Sequence, residues 1–127
     1  MLKKNRVQPL ISVILPTYNH ARFLKNAIDS VIKQDYSNWE LIIIDNYSTD
    51  HTDQVISLFK DDRIKNHKTN NHGIIAKSRN KGIQESKGDW IAFLDSDDIW
   101  YLNKLSTIIN YLNRYKKIDI VCSNEYL

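Results

Sequence analysis

A chain of 127 residues, 42% hydrophobic and 26% charged, suffices for one domain that buries about two thirds of its unfolded surface and is too short for two. That balance, with no repeat and no low-complexity tract, excludes a disordered or fibrous protein. The formal charge of +3 is scattered among acids rather than gathered into a basic stripe with interleaved aromatics, so nucleic acid is not an expected partner.

In chain order, Lys3, Lys4 and Arg6 come first. They are compatible with weak association with an anionic membrane surface, against which stands the plainer reading of a solvated tail. The apolar stretch Leu10 to Leu15 is too short to span a bilayer, is closed by Pro16, and lacks a small-residue cleavage site. The expected location is the cytoplasm, with the inner face of the membrane as the outer limit.

Short, nearly continuous apolar runs recur at Ile11 to Leu15, Leu41 to Ile44, Ile91 to Leu94 and Ile118 to Cys122, the pattern of strands covered on both faces. Between them Leu24, Ile28, Val31 and Ile32 have helical spacing, as do Leu102, Leu105, Ile109 and Leu112. A third helix is expected after Thr49-Asp50, through Val55, Ile56 and Phe59, with either residue able to cap it. A weaker helix runs from Ile74 to Ser86, with Gly82 inside it and Gly88 suited to a left-handed stop. The polar segment Arg63 to Lys68 is assigned as a strand because it falls between two helices.

This alternation predicts an α/β domain over residues 1–127, Rossmann-like, with a mainly parallel sheet flanked by helices. Cys122, the single cysteine, is expected to be buried, excludes an internal disulfide and fits a reducing compartment.

Ligands of such sheets gather at the carboxyl ends of the strands. Pro16-Thr17-Tyr18-Asn19 follows the first run, Asp45-Asn46-Tyr47-Ser48-Thr49-Asp50 the second, and Asp95-Ser96-Asp97-Asp98 the run at Ile91. In an extended segment Asp95 and Asp97 share one side while Ser96 faces away. Two carboxylates so placed suit Mg²⁺ or Mn²⁺, which completes its shell with phosphate oxygens and water. The bland alternative is an acidic loop capping a helix that begins near Tyr101, and an isolated D-x-D triplet favours that alternative. The four histidines show no paired metal-ligand spacing. Trp39, Trp90 and Trp100 read as packing residues.

Together, Ser12 to Asn19, Trp39 to Asp50, Gly73 through Arg79-Asn80-Lys81-Gly82, and Gly88 to Asp98 form four ordered segments spread over almost the whole chain. In that order they resemble the family 2 glycosyltransferases of the GT-A fold. The resemblance implies a donor site built from Pro16, Thr17, Tyr18, Asp45, Asn46, Arg79, Asp95 and Ser96. Tyr18 would stack on the base, Asp97 would bind Mn²⁺ or Mg²⁺ directly, and Asp95 would face the ribose or a metal-bound water. Arg79 and Lys77 would reach the diphosphate or steady the acids, and Asp98 would serve the site or the next helix. Some members carry a second acid where this chain has Asn46, whose neutral carbonyl is a weaker acceptor for the uracil imide.

The implied reaction is metal-dependent, inverting transfer of a sugar from a nucleotide-diphosphate sugar, a UDP-sugar above all, to a glycan or lipid-linked acceptor in surface polysaccharide synthesis. Family members are considerably longer, and the part after the fifth strand holds the acceptor and supplies the general base. Glu125 follows that strand here, but nothing places it within reach of an acceptor hydroxyl, so the general base is unassigned and the acceptor half is expected to be absent. Two alternatives stand beside this reading. One is a non-catalytic donor-binding fragment or half of a split enzyme. The other is an Asp-x-Asp phosphohydrolase, which would want its motif on the first strand and a threonine or valine where Ile99 stands.

Overall fold

The computed structural model describes residues 8–123; the basic cluster at Lys3, Lys4 and Arg6 and the acid Glu125 lie outside them. The elements alternate strictly: β1 (Ile11–Thr17), α1 (Ala21–Ile32), β2 (Trp39–Asp45), α2 (Thr52–Ser57), β3 (Ile64–Lys68), α3 (Ile75–Glu85), β4 (Trp90–Phe93) and α4 (Lys104–Arg114). The sheet order is β3-β2-β1-β4 with every pairing parallel. Each crossover therefore carries a helix, as parallel strands require.

β1 and β2 are buried at every position, which explains their unbroken apolar runs. Val13, Leu15, Leu41 and Ile43 form one core with Leu24, Ile28 and Val31 of α1 and Leu105, Ile109 and Leu112 of α4. On the opposite face α3 lies so close to the sheet that a Cβ at Gly82 would overlap Ile14 Cγ2. Glycine is what permits that approach. The N-cap of α2 is His51 rather than Thr49 or Asp50, and the helix ends at Ser57, short of Phe59, but Asp50 Oδ1 does accept the amide of its first residue, Thr52, at 3.1 Å. No helix among the described residues is long and apolar enough to cross a membrane.

Three further expectations are corrected. Ile118 to Cys122 is not a strand. Ile118 and Val121, three apart, turn toward the core while Ile120 is 82% exposed, a spacing that a two-residue strand period cannot give. For the same reason Cys122 is exposed rather than buried. Gly88 is not a left-handed helix stop, since Gly73 is the glycine with positive φ and Ser86 ends α3 in an extended conformation. Gly88 is needed because a side chain there would lie 2.6 Å from Ser12 Oγ and 2.7 Å from Ser12 N.

Candidate functional site

The topology puts β1 between β2 and β4, so the three polar clusters read from the sequence meet at one rim. Thr17 closes β1 and is the register partner of Asp45, which closes β2 and is in turn the partner of Lys68 on β3. The loops beyond β1 and β2 are tied to each other. Asn19 donates its amide to Ser48 Oγ at 2.9 Å and accepts the Thr49 amide at 2.7 Å, and Asn46 N–H donates to Thr17 O at 3.0 Å. Asn19 and Tyr47 both take positive φ, 51° and 53°, which is uncommon outside glycine and most tolerated by asparagine.

Asp45 is fully buried yet only half satisfied. Its Oδ1 accepts the Ser48 amide at 3.0 Å and the Ser48 hydroxyl at 2.5 Å, the turn-capping role of an aspartate. Its Oδ2 has no hydrogen-bond partner among the described residues; the nearest cation, Lys68 Nζ, stands 3.8 Å away. That ammonium is held by Asp53 at 2.6 Å, and this hydrogen bond is the main cause of its raised pKa. Thr17 Oγ1 and Arg79 Nε are likewise buried and unpartnered. Trp39 Nε1 and His67 Nε2 are the other two such atoms among the described residues; buried polar groups are nearly always paired, and of the five, Thr17 Oγ1 and Asp45 Oδ2 belong to the residues that close β1 and β2.

The acids after β4 lie on a turn, not an extended segment: Asp98 N–H donates to Asp95 O at 3.1 Å. In the turn Ser96 is 4% exposed, while Asp95 is part-exposed and Asp97 lies on the surface. Asp95 engages one oxygen with Arg79 Nη2 at 2.9 Å. No side chain caps α4 from its N-cap Asn103, and its Leu105 amide donates to Gln34 Oε1 at 2.9 Å.

Tyr18, 52% exposed, stands on the rim, whereas Pro16 is buried opposite Ile44. Asn46 Oδ1 already accepts the Asn71 amide at 2.9 Å, and Lys77 is exposed on α3. Three neighbours of the site were not legible in the sequence: Lys68 beside Asp45, Asn71 beside Asn46, and His20, whose Nδ1 lies 2.8 Å from Ser96 Oγ. The last pair is 76 residues apart in sequence, and no local pattern signals it. Among the described residues no three His, Cys, Asp or Glu side chains converge to hold a metal. Asp97, with the second oxygen of Asp95, could supply two carboxylate ligands, a set that suits Mg²⁺ or Mn²⁺ when a phosphate fills the rest of the shell. A separate apolar cavity of about 580 Å³ lies between β4, α4 and the 118–123 segment, lined by Trp90, Ile108 and Val121 among others.

Residues 12–126 match the family model described as Glycosyl transferase family 2. Over 122 residues the chain is 42% identical to UDP-Glc:alpha-D-GlcNAc-diphosphoundecaprenol beta-1,3-glucosyltransferase WfgD of Escherichia coli, covering 91% of this chain and 48% of WfgD. It is 35% identical over 119 residues to glycosyltransferase GlyG of Streptococcus pneumoniae serotype 4, covering 92% of this chain and 39% of GlyG. The chain thus spans less than half the length of these relatives. Among solved structures it superposes on S. aureus TarS 1–349 in complex with UDP with a TM-score of 0.78 and 28% identity, over 84% of this chain and 32% of that one. It shares the fold alone with mannosyltransferase PcManGT from Pyrobaculum calidifontis in complex with GDP-Man and Mn²⁺, at a TM-score of 0.76, 24% identity, and 83% and 32% coverage. The parallel sheet, the acidic turn after β4 and these superpositions define a GT-A fold. With the family model spanning nearly all of its length, the chain belongs to glycosyl transferase family 2.

Proposed function

We propose that the rim formed by the ends of β1, β2 and β4 binds the nucleotide-sugar donor of a glycosyltransferase, a UDP-sugar with Mn²⁺ or Mg²⁺. The observation that carries this reading is that Thr17 and Asp45, which end paired strands, keep the buried atoms Thr17 Oγ1 and Asp45 Oδ2 unpartnered at the rim that also presents Asp97 and the Arg79–Asp95 pair. In this reading Thr17, Asp45 and Asn46 receive the nucleoside and Tyr18 stacks on its base, since an exposed aromatic face matches a planar ring. Arg79 faces the diphosphate while steadying Asp95, and Asp97 holds the metal. Ser96, turned inward, serves the donor by fixing the turn. The bound metal would neutralise the negative charge that builds on the departing diphosphate.

Transfer proceeds with inversion to a glycan or lipid-linked acceptor, in a cytoplasmic setting at or near the inner face of the membrane. WfgD, whose printed name gives a UDP-glucose donor and a diphosphoundecaprenol acceptor, supports both choices. Because the chain covers under half of such relatives, the part described is read as the donor-binding half, and binding rather than turnover is the property to test. Calorimetric titration with UDP is expected to show affinity that rises with Mn²⁺, and Asp97→Ala is expected to lose at least ~1.4 kcal/mol of it, a tenfold weakening. A folded protein that binds UDP equally well with and without Mn²⁺, or not at all, would contradict the proposal.

A further inference from the structure

We infer that His20 is a positioning residue for the metal-binding turn, acting through Ser96; the inference rests on the donor-site reading above. His20 is the N-cap of α1, and its carbonyl accepts the Phe23 and Leu24 amides at 2.9 and 3.0 Å. The residues on either side of it are fixed as well: Asn19 is tied to Ser48 and Thr49, and the Ala21 amide donates to Asp50 Oδ2 at 3.0 Å. Its half-buried ring packs edge-on against Phe23, with centroids 5.8 Å apart. His20 is thus firmly held at the start of α1, against the turn that carries Ser96.

The turn at 95–98 is fastened less firmly. Asp95 and its partner Arg79 are 46% and 35% exposed, and exposed ion pairs hold geometry weakly. Ser96 is the buried member of the turn, and its Oγ shares a 2.8 Å hydrogen bond with His20 Nδ1, whose direction follows the ring tautomer. Ser96 lies between the two acids in sequence, so this bond sets how Asp97 is presented. Partners that orient metal ligands from behind typically contribute 10–100-fold to metal affinity.

The test is a set of variants measured by calorimetry with UDP, in the presence and absence of Mn²⁺, after circular dichroism has confirmed the fold. His20→Ala and Ser96→Ala are each expected to weaken Mn²⁺-dependent UDP binding roughly tenfold, and the double variant to be no worse than either single one, because both remove the same bond. His20→Asn, whose amide can stand near the Nδ1 position, is expected to restore most of the loss. UDP binding by His20→Ala without metal is expected to stay within about twofold of the parent, which a general loosening of the site would not allow. Additive losses, an equal loss without metal, or no rescue by asparagine would overturn the inference while leaving the donor site standing. Absence of UDP binding by the parent chain would overturn both.

Discussion

Two buried acids on β2 show how a structural carboxylate differs from one aimed at a ligand. Glu40, 5% exposed, accepts the Ser12 hydroxyl at 2.7 Å, the Lys87 amide at 2.6 Å and Lys65 Nζ at 3.0 Å. Burial alone raises its pKa, but these three donors outweigh it and the net shift is downward from 4.5. A depressed folded-state value means that Glu40 contributes stability above pH 4.5, and that this contribution fades as pH falls through the lower folded value. Glu40→Gln, which turns an amide against Lys65, is expected to cost about 2 kcal/mol at pH 7. Urea denaturation of parent and variant should show that gap closing as pH is lowered below 4.5; a gap that stays constant would contradict the assignment. Asp45, five residues on, has a single saturated oxygen and an orphan. That contrast supports the proposal that Asp45 serves the donor site.

At the scale of elements, the packing of α3 on β1 depends on one missing side chain. Ile14 is fully buried, so it has no room to yield to a methyl group at Gly82. Gly82→Ala gains up to about 1 kcal/mol in helix propensity, but overpacking typically costs 1–3 kcal/mol. The net expectation is a lower thermal midpoint, and adding Ile14→Ala should recover part of the overpacking loss, so that the pair is less harmful than the sum of its parts. Equal additivity would mean that the contact is not what requires glycine. The central strands and the four helices were legible in the sequence because apolar periodicity records which faces are covered. β3 is a polar strand that only its position between two helices marks in the sequence. The apolar run at 118–122 failed as a strand because such a run records burial but not a partner edge, and Asp119 interrupts its alternation. The need for glycine at 88 comes from its close approach to Ser12, 76 residues away, which leaves no local trace in the sequence.

For the whole molecule, parallel order β3-β2-β1-β4 collects segments from across the chain at one end of the sheet. The sequence showed which residues would stand there, since each cluster follows an apolar run. It did not show that Asp45 would be half satisfied, that Asn46 would already hold Asn71, or that Ser96 would turn inward onto His20. Those outcomes depend on contacts between segments brought together only by the fold. The central claim, that the rim and not the apolar cavity beside β4 receives the donor, is tested most directly by amide-resolved NMR of the chain titrated with UDP and Mg²⁺, followed by traces of Mn²⁺. The account predicts shifts at Thr17 to His20 and Asp45 to Ser48, and paramagnetic broadening centred on Asp95 to Asp98. Perturbations confined to Trp90, Ile108 and Val121 around the cavity, or none in the folded protein, would contradict it.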